Sequence, residues 1–294
     1  MFADNPNMRG AMLMMASMAG FVFNDSIMKY LAADISLYQS IFIRGLIVTA
    51  LIAALAWRYG VLRQSLEKRD RFWMGWRALG ESGSTLCYLT GLMQIPIAAA
   101  ASIQQAVPLV ITFIGAIWLG EQVGWRRYLA IIVGFLGVLL IVRPGADNFN
   151  IYVMFSVAGV LFLVLRDLST RQFSSDVSSL FVALIGSLLV TVSSGILSLF
   201  ETWQPLTWPV MVGLSGAAGF IFFGYLCGVM TMRAGDIAFV SPFRYTVLIW
   251  AALLGYLVFD EVPDNYMLMG GLVIALAGVY SFYRETRQSK TSAS

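Results

Sequence analysis

The chain has 294 residues, 59% of them hydrophobic and only 12% charged, with a formal net charge of +3 and a mean hydropathy of +0.78. Soluble domains carry about 25% charged residues, so the composition excludes an ordinary water-soluble globule. Two cysteines exclude a disulfide scaffold, and the absence of histidine excludes zinc fingers, HExxH peptidases and His-based metal sites or proton relays.

Ten apolar runs follow in chain order, each near the roughly 20 residues that cross a hydrocarbon core. The first five are Met8–Leu31, Leu37–Trp57, Phe72–Gln94, Ile97–Leu119 and Arg126–Val142. The second five are Ile151–Gln172, Val177–Leu199, Trp208–Met232, Ile237–Phe259 and Tyr266–Tyr283. Lipid offers the backbone no hydrogen-bond partners, so these runs are predicted to be helices. Their short connections leave no room for an extramembrane domain. The first run has one basic flank, Arg9, and its counterpart Ile151–Gln172 lies inside the chain, so it is read as a retained span and not as a cleaved signal.

The chain also repeats itself. Asp25, Lys29, Asp34 and Ser36 recur in order and spacing as Asp167, Arg171, Asp176 and Ser178. The string Tyr88-Leu89-Thr90-Gly91-Leu92-Met93 recurs as Tyr225-Leu226-Cys227-Gly228-Val229-Met230, and Ala98, Glu121 and Gly137-Val138 recur as Ala238, Glu261 and Gly278-Val279. Five helices before the copy force the second half to enter the membrane from the opposite face, the organisation of many secondary transporters.

Basic residues give an independent orientation. Arg9, Arg58, Arg63, Lys68, Arg69, Arg71, Arg126, Arg127, Arg166, Arg171, Arg233, Arg284, Arg287 and Lys290 fall on one side, whereas only Lys29 and Arg143 fall on the other. Positive loops stay inside, so both termini are expected in the cytoplasm, and the net charge reports topology, not nucleic-acid binding. The expected fold is an all-α integral membrane protein of ten transmembrane helices in two inverted five-helix repeats. The repeats would occupy residues 1–145 and 146–285, with a cytoplasmic tail at 286–294, and the protein would be a monomer in the lipid bilayer.

Ala98-Ala99-Ala100-Ala101-Ser102, Pro108-Leu109, Gly120-Glu121 and Gly134-x-x-Gly137-Val138-Leu139-Leu140 together resemble the helix 4–5 pattern of the EamA-type drug/metabolite transporter superfamily. The second half keeps Ala238, Ser241-Pro242, Glu261, Gly270-Gly271 and Gly278-Val279. It departs at Leu248, where the first half has Pro108, and at Asp260, where it has Gly120. Length, span count and aromatic-rich helices are also similar to the YddG-type amino-acid exporters within that group. The resemblance implies a central cavity lined by helices 1–4 and 6–9, with helices 5 and 10 outside as supports. It further implies export of small metabolites, amino acids first, by alternating access in a bacterial inner membrane, with no cofactor.

Ionisable groups inside a membrane cost at least a few kcal/mol and are functional candidates for that reason. Arg44 lies about 10 Å into helix 2 at 1.5 Å per residue. Glu81 and Arg244 approach the midplane of helices 3 and 9, as do Gln104 and Gln105 in helix 4, and Gln104 aligns with Arg244 across the repeat. Arg44 or Arg244 could grip a carboxylate through a forked donor, and Glu81 or an amide could take an ammonium. The competing reading is mutual neutralisation of Glu81 by either arginine between packed helices. Glu81 is also the acid placed to carry a coupling proton. Arg77, one turn from Glu81, is expected to snorkel or to form an i,i+4 pair with it. Tyr88 and Tyr245 are the aromatic rings expected in the pocket.

Candidate gates are the i,i+4 pairs Asp25–Lys29 and Asp167–Arg171, whose alternative reading is salt-bridged helix ends. Pro108 and Pro242 are expected to kink two repeat-related helices, either for motion or as static bends. Glu121 and Glu261 are expected to cap the start of the following span. No P-loop lysine motif is present to couple transport to ATP, so the chain is not expected to be an enzyme. Other solutes (nucleosides, sugars, cationic drugs) and a non-transporting scaffold or receptor are the alternatives.

Overall fold

The computed structural model describes residues 6–62, 64–118, 125–144, 150–174, 176–234 and 237–292. Arg63, Gly120 and Glu121 therefore lie outside the described residues. The first half folds as α1 (Pro6–Leu31), α2 (Leu37–Arg58), α3 (Lys68–Leu92), α4 (Ile97–Gln104), α5 (Val107–Trp118) and α6 (Trp125–Val142). The second half folds as α7 (Tyr152–Thr170), α8 (Ser179–Ser198), α9 (Trp208–Ala234), α10 (Ile237–Val240), a 3-10 turn (Ser241–Tyr245), α11 (Thr246–Phe259) and α12 (Asn265–Ser292). No strand occurs among the described residues. Among the described residues, eight segments are long and apolar enough to cross a membrane, counting Ile97–Ile117 and Ser241–Phe259 as one segment each. The shorter apolar helix Tyr128–Val142 and the 25-residue α3 correspond to the other two expected runs. Lys68, Arg69, Asp70, Arg71, Arg77 and Glu81 make α3 less apolar than those segments. The last helix runs beyond its expected span into the segment read as a tail, to Ser292.

The fourth span of each half is broken, and in both cases proline starts the second piece instead of bending its middle. Pro108 has no N–H to give the Gln104 carbonyl, so the chain tightens: Ala106 N donates to Ile103 O at 3.0 Å, and the helix restarts at Val107. In the second half Pro242 sits at the start of the 3-10 turn that separates α10 from α11.

The helices pair across the halves in a way that survives exchanging them. The first helix of one half packs along the third span of the other (α1 on α9, α7 on α3), while α2 packs on α8 and α6 on α12. In lipid such pairing rests on close packing and buried hydrogen bonds. A Cβ on Gly20 of α1 would lie 2.9 Å from Phe220 O on α9, and Ser17 Oγ donates to Gly224 O at 2.7 Å. On α3, a Cβ on Gly80 would lie 2.6 Å from Arg166 N. Helices α6 and α12 approach through Gly137 and Gly270 and turn Leu136, Leu139, Leu272 and Leu276 outward, as supporting helices facing lipid would.

Polar contacts sort the helix ends into two groups. At what we call the Lys29 end, Lys29 Nζ bonds Glu261 Oε1 and Ile95 O, both at 2.5 Å, and Asn150 Nδ2 donates to Gln94 O at 2.8 Å. There too Gln39 and Gln204 exchange two bonds of 2.9 Å, and Glu201 accepts the N–H groups of Tyr38 and Gln39. At the opposite, Asp70 end, Asp70 accepts both the N–H and hydroxyl of Ser174, and Gln64 bonds Asp176 O and Ser178 N. The links α1–α2, α3–α4, α6–α7, α8–α9 and α11–α12 meet at the first end, and the links α2–α3 and α7–α8 at the second. This is the alternation that successive crossings require.

Candidate functional site

The two helix breaks face a common cavity of about 380 Å³. Val107, Pro108 and Thr112 of α5 line one wall, Ser241, Pro242, Arg244 and Tyr245 of the 3-10 turn another, and Asp167 and Arg171 from the end of α7 a third. Arg244 Nε is buried without a hydrogen-bond partner. The Tyr245 ring rests on α12 where Gly278 leaves space, since a Cβ there would lie 2.7 Å from Tyr245 Cζ. This cavity holds a cation, an acid, an aromatic ring and interrupted backbone together, the combination that oriented polar solutes need inside a membrane.

A second, smaller cavity of about 100 Å³ lies between α2, α3, α8 and α9, lined by Arg44, Arg77, Glu81, Thr85, Ser187 and Tyr225. Glu81 is held from both sides. Arg77 Nη2, one turn before it, lies 3.0 Å from Oε2, and Arg166 Nη1 of α7 lies 3.3 Å from Oε1. Arg166 also grips Asp167 Oδ1 through Nη2 at 2.8 Å and Nε at 2.9 Å. A continuous run of charges, Arg77–Glu81–Arg166–Asp167, therefore joins the small cavity to the wall of the large one.

Toward the Lys29 end a third group runs from Arg44, in the wall of the small cavity, to Asp25. Arg44 Nη1 donates to Asn24 Oδ1 at 2.9 Å, Asn24 Nδ2 donates to Asp25 Oδ1 at 2.9 Å, and the Tyr88 hydroxyl donates to Asp25 Oδ2 at 2.8 Å. Asp25 and Arg44 thus communicate through a neutral amide.

The structure distributes the residues singled out from the sequence over these places. Arg44 and Glu81 share the small cavity without contacting each other; Arg244, Tyr245, Pro108, Pro242, Asp167 and Arg171 share the large one. Tyr88 is committed to Asp25. Gln105 is buried at the α4–α5 break with Oε1 unpartnered, and Gln104, beside it, belongs to neither lining described above. The Asp25–Lys29 pair does not form: Asp25 turns to Asn24 and Tyr88, and Lys29 reaches Glu261. Asp167 pairs with its neighbour Arg166. Glu261 does cap a helix, but it is α4 of the other half, through Ile97 N at 2.9 Å, and not the following α12. The candidate site residues leave out Arg166, Asn24 and Tyr225, although the repeat sets Asn24 against Arg166, a mismatch that points to solute preference, and Tyr88 against Tyr225.

The EamA-like transporter family profile matches residues 8–143 and again residues 150–284. The chain belongs to the EamA-like transporter family. This EamA-like protein is 26% identical over 285 residues to the riboflavin transporter of Vibrio cholerae, covering 96% of each chain. It is 24% identical over 267 residues to the S-adenosylmethionine uptake transporter of Rickettsia bellii, covering 90% of each. It is 25% identical over 278 residues to the pseudopaline exporter of Pseudomonas aeruginosa, covering 90% of this chain and 93% of that one. A crystal structure at 19% identity shares the fold, with a TM-score of 0.57 over 91% of this chain and 96% of that one. The EamA-like chain is accordingly a multi-pass membrane protein of the bacterial inner-membrane kind, and its relatives move small molecules.

Proposed function

We propose that this protein is a secondary transporter of amino acids or metabolites with an amino-acid head group, and that the large cavity at the two helix breaks is where the solute is held. The observation that carries the reading is the coincidence of both repeat-related breaks with one cavity containing Arg244, Asp167 and Tyr245. Arg244 offers a forked donor to a carboxylate, Asp167 an acceptor to an ammonium, and Tyr245 a ring to the side chain. S-adenosylmethionine, the solute named for the Rickettsia relatives, carries such a head group, and riboflavin does not. Solute specificity therefore differs among relatives of similar distance, and this chain's own polar residues have to decide it.

The two halves would rock about the α1–α9 and α3–α7 contacts, with both termini in the cytoplasm as the basic bias requires. The test is counterflow in proteoliposomes, with amino acids, S-adenosylmethionine, riboflavin, nucleosides, sugars and cationic drugs as competing solutes. Saturable flux inhibited by amino acids or S-adenosylmethionine, and reduced at least tenfold in Arg244→Gln, is the expected result. Flux of riboflavin or sugars alone would overturn the head-group assignment, and no flux of any solute would favour a scaffold. The relatives' names include both uptake and export, so direction is measured by loading the liposomes from either side.

A further inference from the structure

The small cavity does not end at its charges. Through Ile52, Ala183 and Tyr225, which line both, it continues into a larger space of about 560 Å³ walled by α2, α8 and α9. Tyr59, Val61 and Ser178 at the rim of this vestibule belong to the α2–α3 and α7–α8 links, so it opens at the Asp70 end. The two spaces meet at a neck of three side chains, and two of them are fixed. Ile52 and Ala183 are 6% and 5% exposed, on helices in close contact. A Cβ on Gly45 of α2 would lie 2.5 Å from Thr191 Oγ1 of α8, and the Thr49 and Thr191 hydroxyls lie 3.1 Å apart. The third, Tyr225 of α9, is 38% exposed, and among the described residues its hydroxyl has no hydrogen-bond partner.

The repeat shows why this ring is loose. Its counterpart Tyr88 is 7% exposed and donates to Asp25 Oδ2 at 2.8 Å. The same pairing in the second half would hold Tyr225 on Asp167. There Arg166 stands where the first half has Asn24, and it takes Asp167 Oδ1 through two nitrogens, at 2.8 and 2.9 Å. A guanidinium brings a full charge and a second donor where a phenol offers one hydrogen bond, so Asp167 stays with Arg166. One half therefore has a latched tyrosine and the other a free one at the corresponding position.

We propose that the vestibule is the solute's path between the Asp70 end and the interior, and that Tyr225 is the gate at its neck. The path rests on the transport reading; the gate does not. Rotating the ring breaks no hydrogen bond among the described residues and leaves Ile52 and Ala183 in place, so the neck opens without separating α2 from α8. Beyond the ring lie Thr85 and the paired charges of Arg77, Glu81 and Arg166.

The full chain, with Cys87 and Cys227 replaced by alanine, is given one new cysteine, at Ser179 in the vestibule or at Thr85 beyond the neck. Right-side-out and inverted membrane vesicles are treated with a membrane-impermeant trimethylammonium thiosulfonate, and the reaction rates are compared. Both cysteines should react from the same face, Thr85→Cys the more slowly. Minor conformers are populated at about 0.1–10%, so a ring closed most of the time should slow Thr85→Cys at least about tenfold, and Tyr225→Ala should remove that difference. The ratio with Tyr225 intact keeps the test open should Tyr225→Ala fail to fold. Equal rates at the two sites, or a rate at Thr85→Cys that Tyr225→Ala leaves unchanged, overturns the gate. Tyr225→Phe should leave the unfolding midpoint in place, whereas Tyr88→Phe, which loses the bond to Asp25, should lower it by about 3–6 °C. A matching fall in both would show Tyr225 latched and would overturn the gate as well. For the path, reaction of Ser179→Cys with the thiosulfonate should abolish counterflow of amino acids and S-adenosylmethionine, and undiminished flux overturns it. No flux before labelling would overturn the path together with the transport reading and leave the labelling rates to decide the gate.

Discussion

The contact between Lys29 and Glu261 joins the halves at one membrane face, and its strength can be worked from its surroundings. The Glu261 carboxylate takes Lys29 Nζ at 2.5 Å and Ile97 N at 2.9 Å, while Lys29 also donates to Ile95 O at 2.5 Å and lies 5.4 Å over the Phe259 ring. Side-chain exposures of 11% for Lys29 and 18% for Glu261 place the pair between a surface bridge and a fully buried one. Surface bridges contribute about 0–1 kcal/mol, and breaking a buried one costs about 3–5 kcal/mol. Glu261→Gln keeps an oxygen for Ile97 N and removes only the charge, so a loss of about 2 kcal/mol is expected, in line with charge-assisted bonds. In a double-mutant cycle with Lys29→Met, unfolding of the four proteins in one detergent should give a coupling energy of about 1.5 kcal/mol. Since the pair ties α1 to the end of α11, loosening it should also raise the population of states open at that end roughly tenfold. Thiol labelling of a cysteine placed at Ser36 would read that population. A coupling energy below about 0.5 kcal/mol, within the additivity error of such cycles, would refute the reasoning.

Three further outcomes follow from particular backbones and charges. Gly80→Val should destabilise by about 1–3 kcal/mol through overpacking and separate Glu81 from Arg166, because the nearest obstacles to a Cβ are the Arg166 and Phe162 backbones; an unfolding midpoint equal to wild type would contradict it. Asp260 caps α11 with φ +53 and ψ +26, a left-handed conformation that glycine adopts more readily, so Asp260→Gly should stabilise by about 0.5–1 kcal/mol, and a lowered midpoint would show the carboxylate to matter more than the backbone. Asp264, outside the membrane, is pushed up by burial but more strongly lowered by Arg143's hydrogen bond and charge and by the N–H groups of Met267 and Tyr266, so its carboxyl titrates below the ordinary range. Its stabilisation is full above the ordinary carboxylate pKa and is lost as pH falls through the lower folded value, so Asp264→Asn should flatten the acid limb of the pH–midpoint curve; with the side chain 43% exposed the effect is small, and an unaltered limb would remove Asp264 from the account.

The architecture was legible in the sequence because bilayer crossing is a local property. Span length, hydropathy and loop charge are each read within a few turns, and the two matching strings supplied the repeat. Breaks at Pro108 and Pro242 were legible as breaks, although their form was not: each proline opens a new helical piece. Ion pairing was illegible because the partners lie far apart along the chain. The i,i+4 rule describes an isolated helix, and it held for Arg77–Glu81. It failed for Asp25–Lys29, where Glu261 in the α11–α12 link and Tyr88 on α3 offered better partners. The start of α2 shows the same override: Ser36 occupies the cap position but its hydroxyl turns to Gln39 Oε1 instead of capping the backbone, and Glu201, from the α8–α9 link, accepts the N–H groups.

The repeat itself explains why the charges collect on one side of the pseudo-symmetry. Arg44 follows Asp25 at the spacing at which Gly186 follows Asp167, so the two are counterparts on α2 and α8. In the first half the arginine at that position reaches Asn24 beside Asp25. In the second half the glycine opens a space that the Arg77 guanidinium enters from α3, and Arg166 replaces Asn24. One set is therefore bridged by a neutral amide, and the other by direct ion pairs at 2.8–3.3 Å. Separating direct ion pairs in a low-dielectric interior costs more than exchanging neutral hydrogen bonds. The Glu81–Arg166 contact is thus the harder of the two to open, and Arg166 carries any movement there to Asp167 in the wall of the large cavity. On the proposed binding mode, a solute ammonium that drew Asp167 away from Arg166 would strengthen Arg166's hold on Glu81, and the two cavities would be coupled through the single guanidinium that contacts both carboxylates.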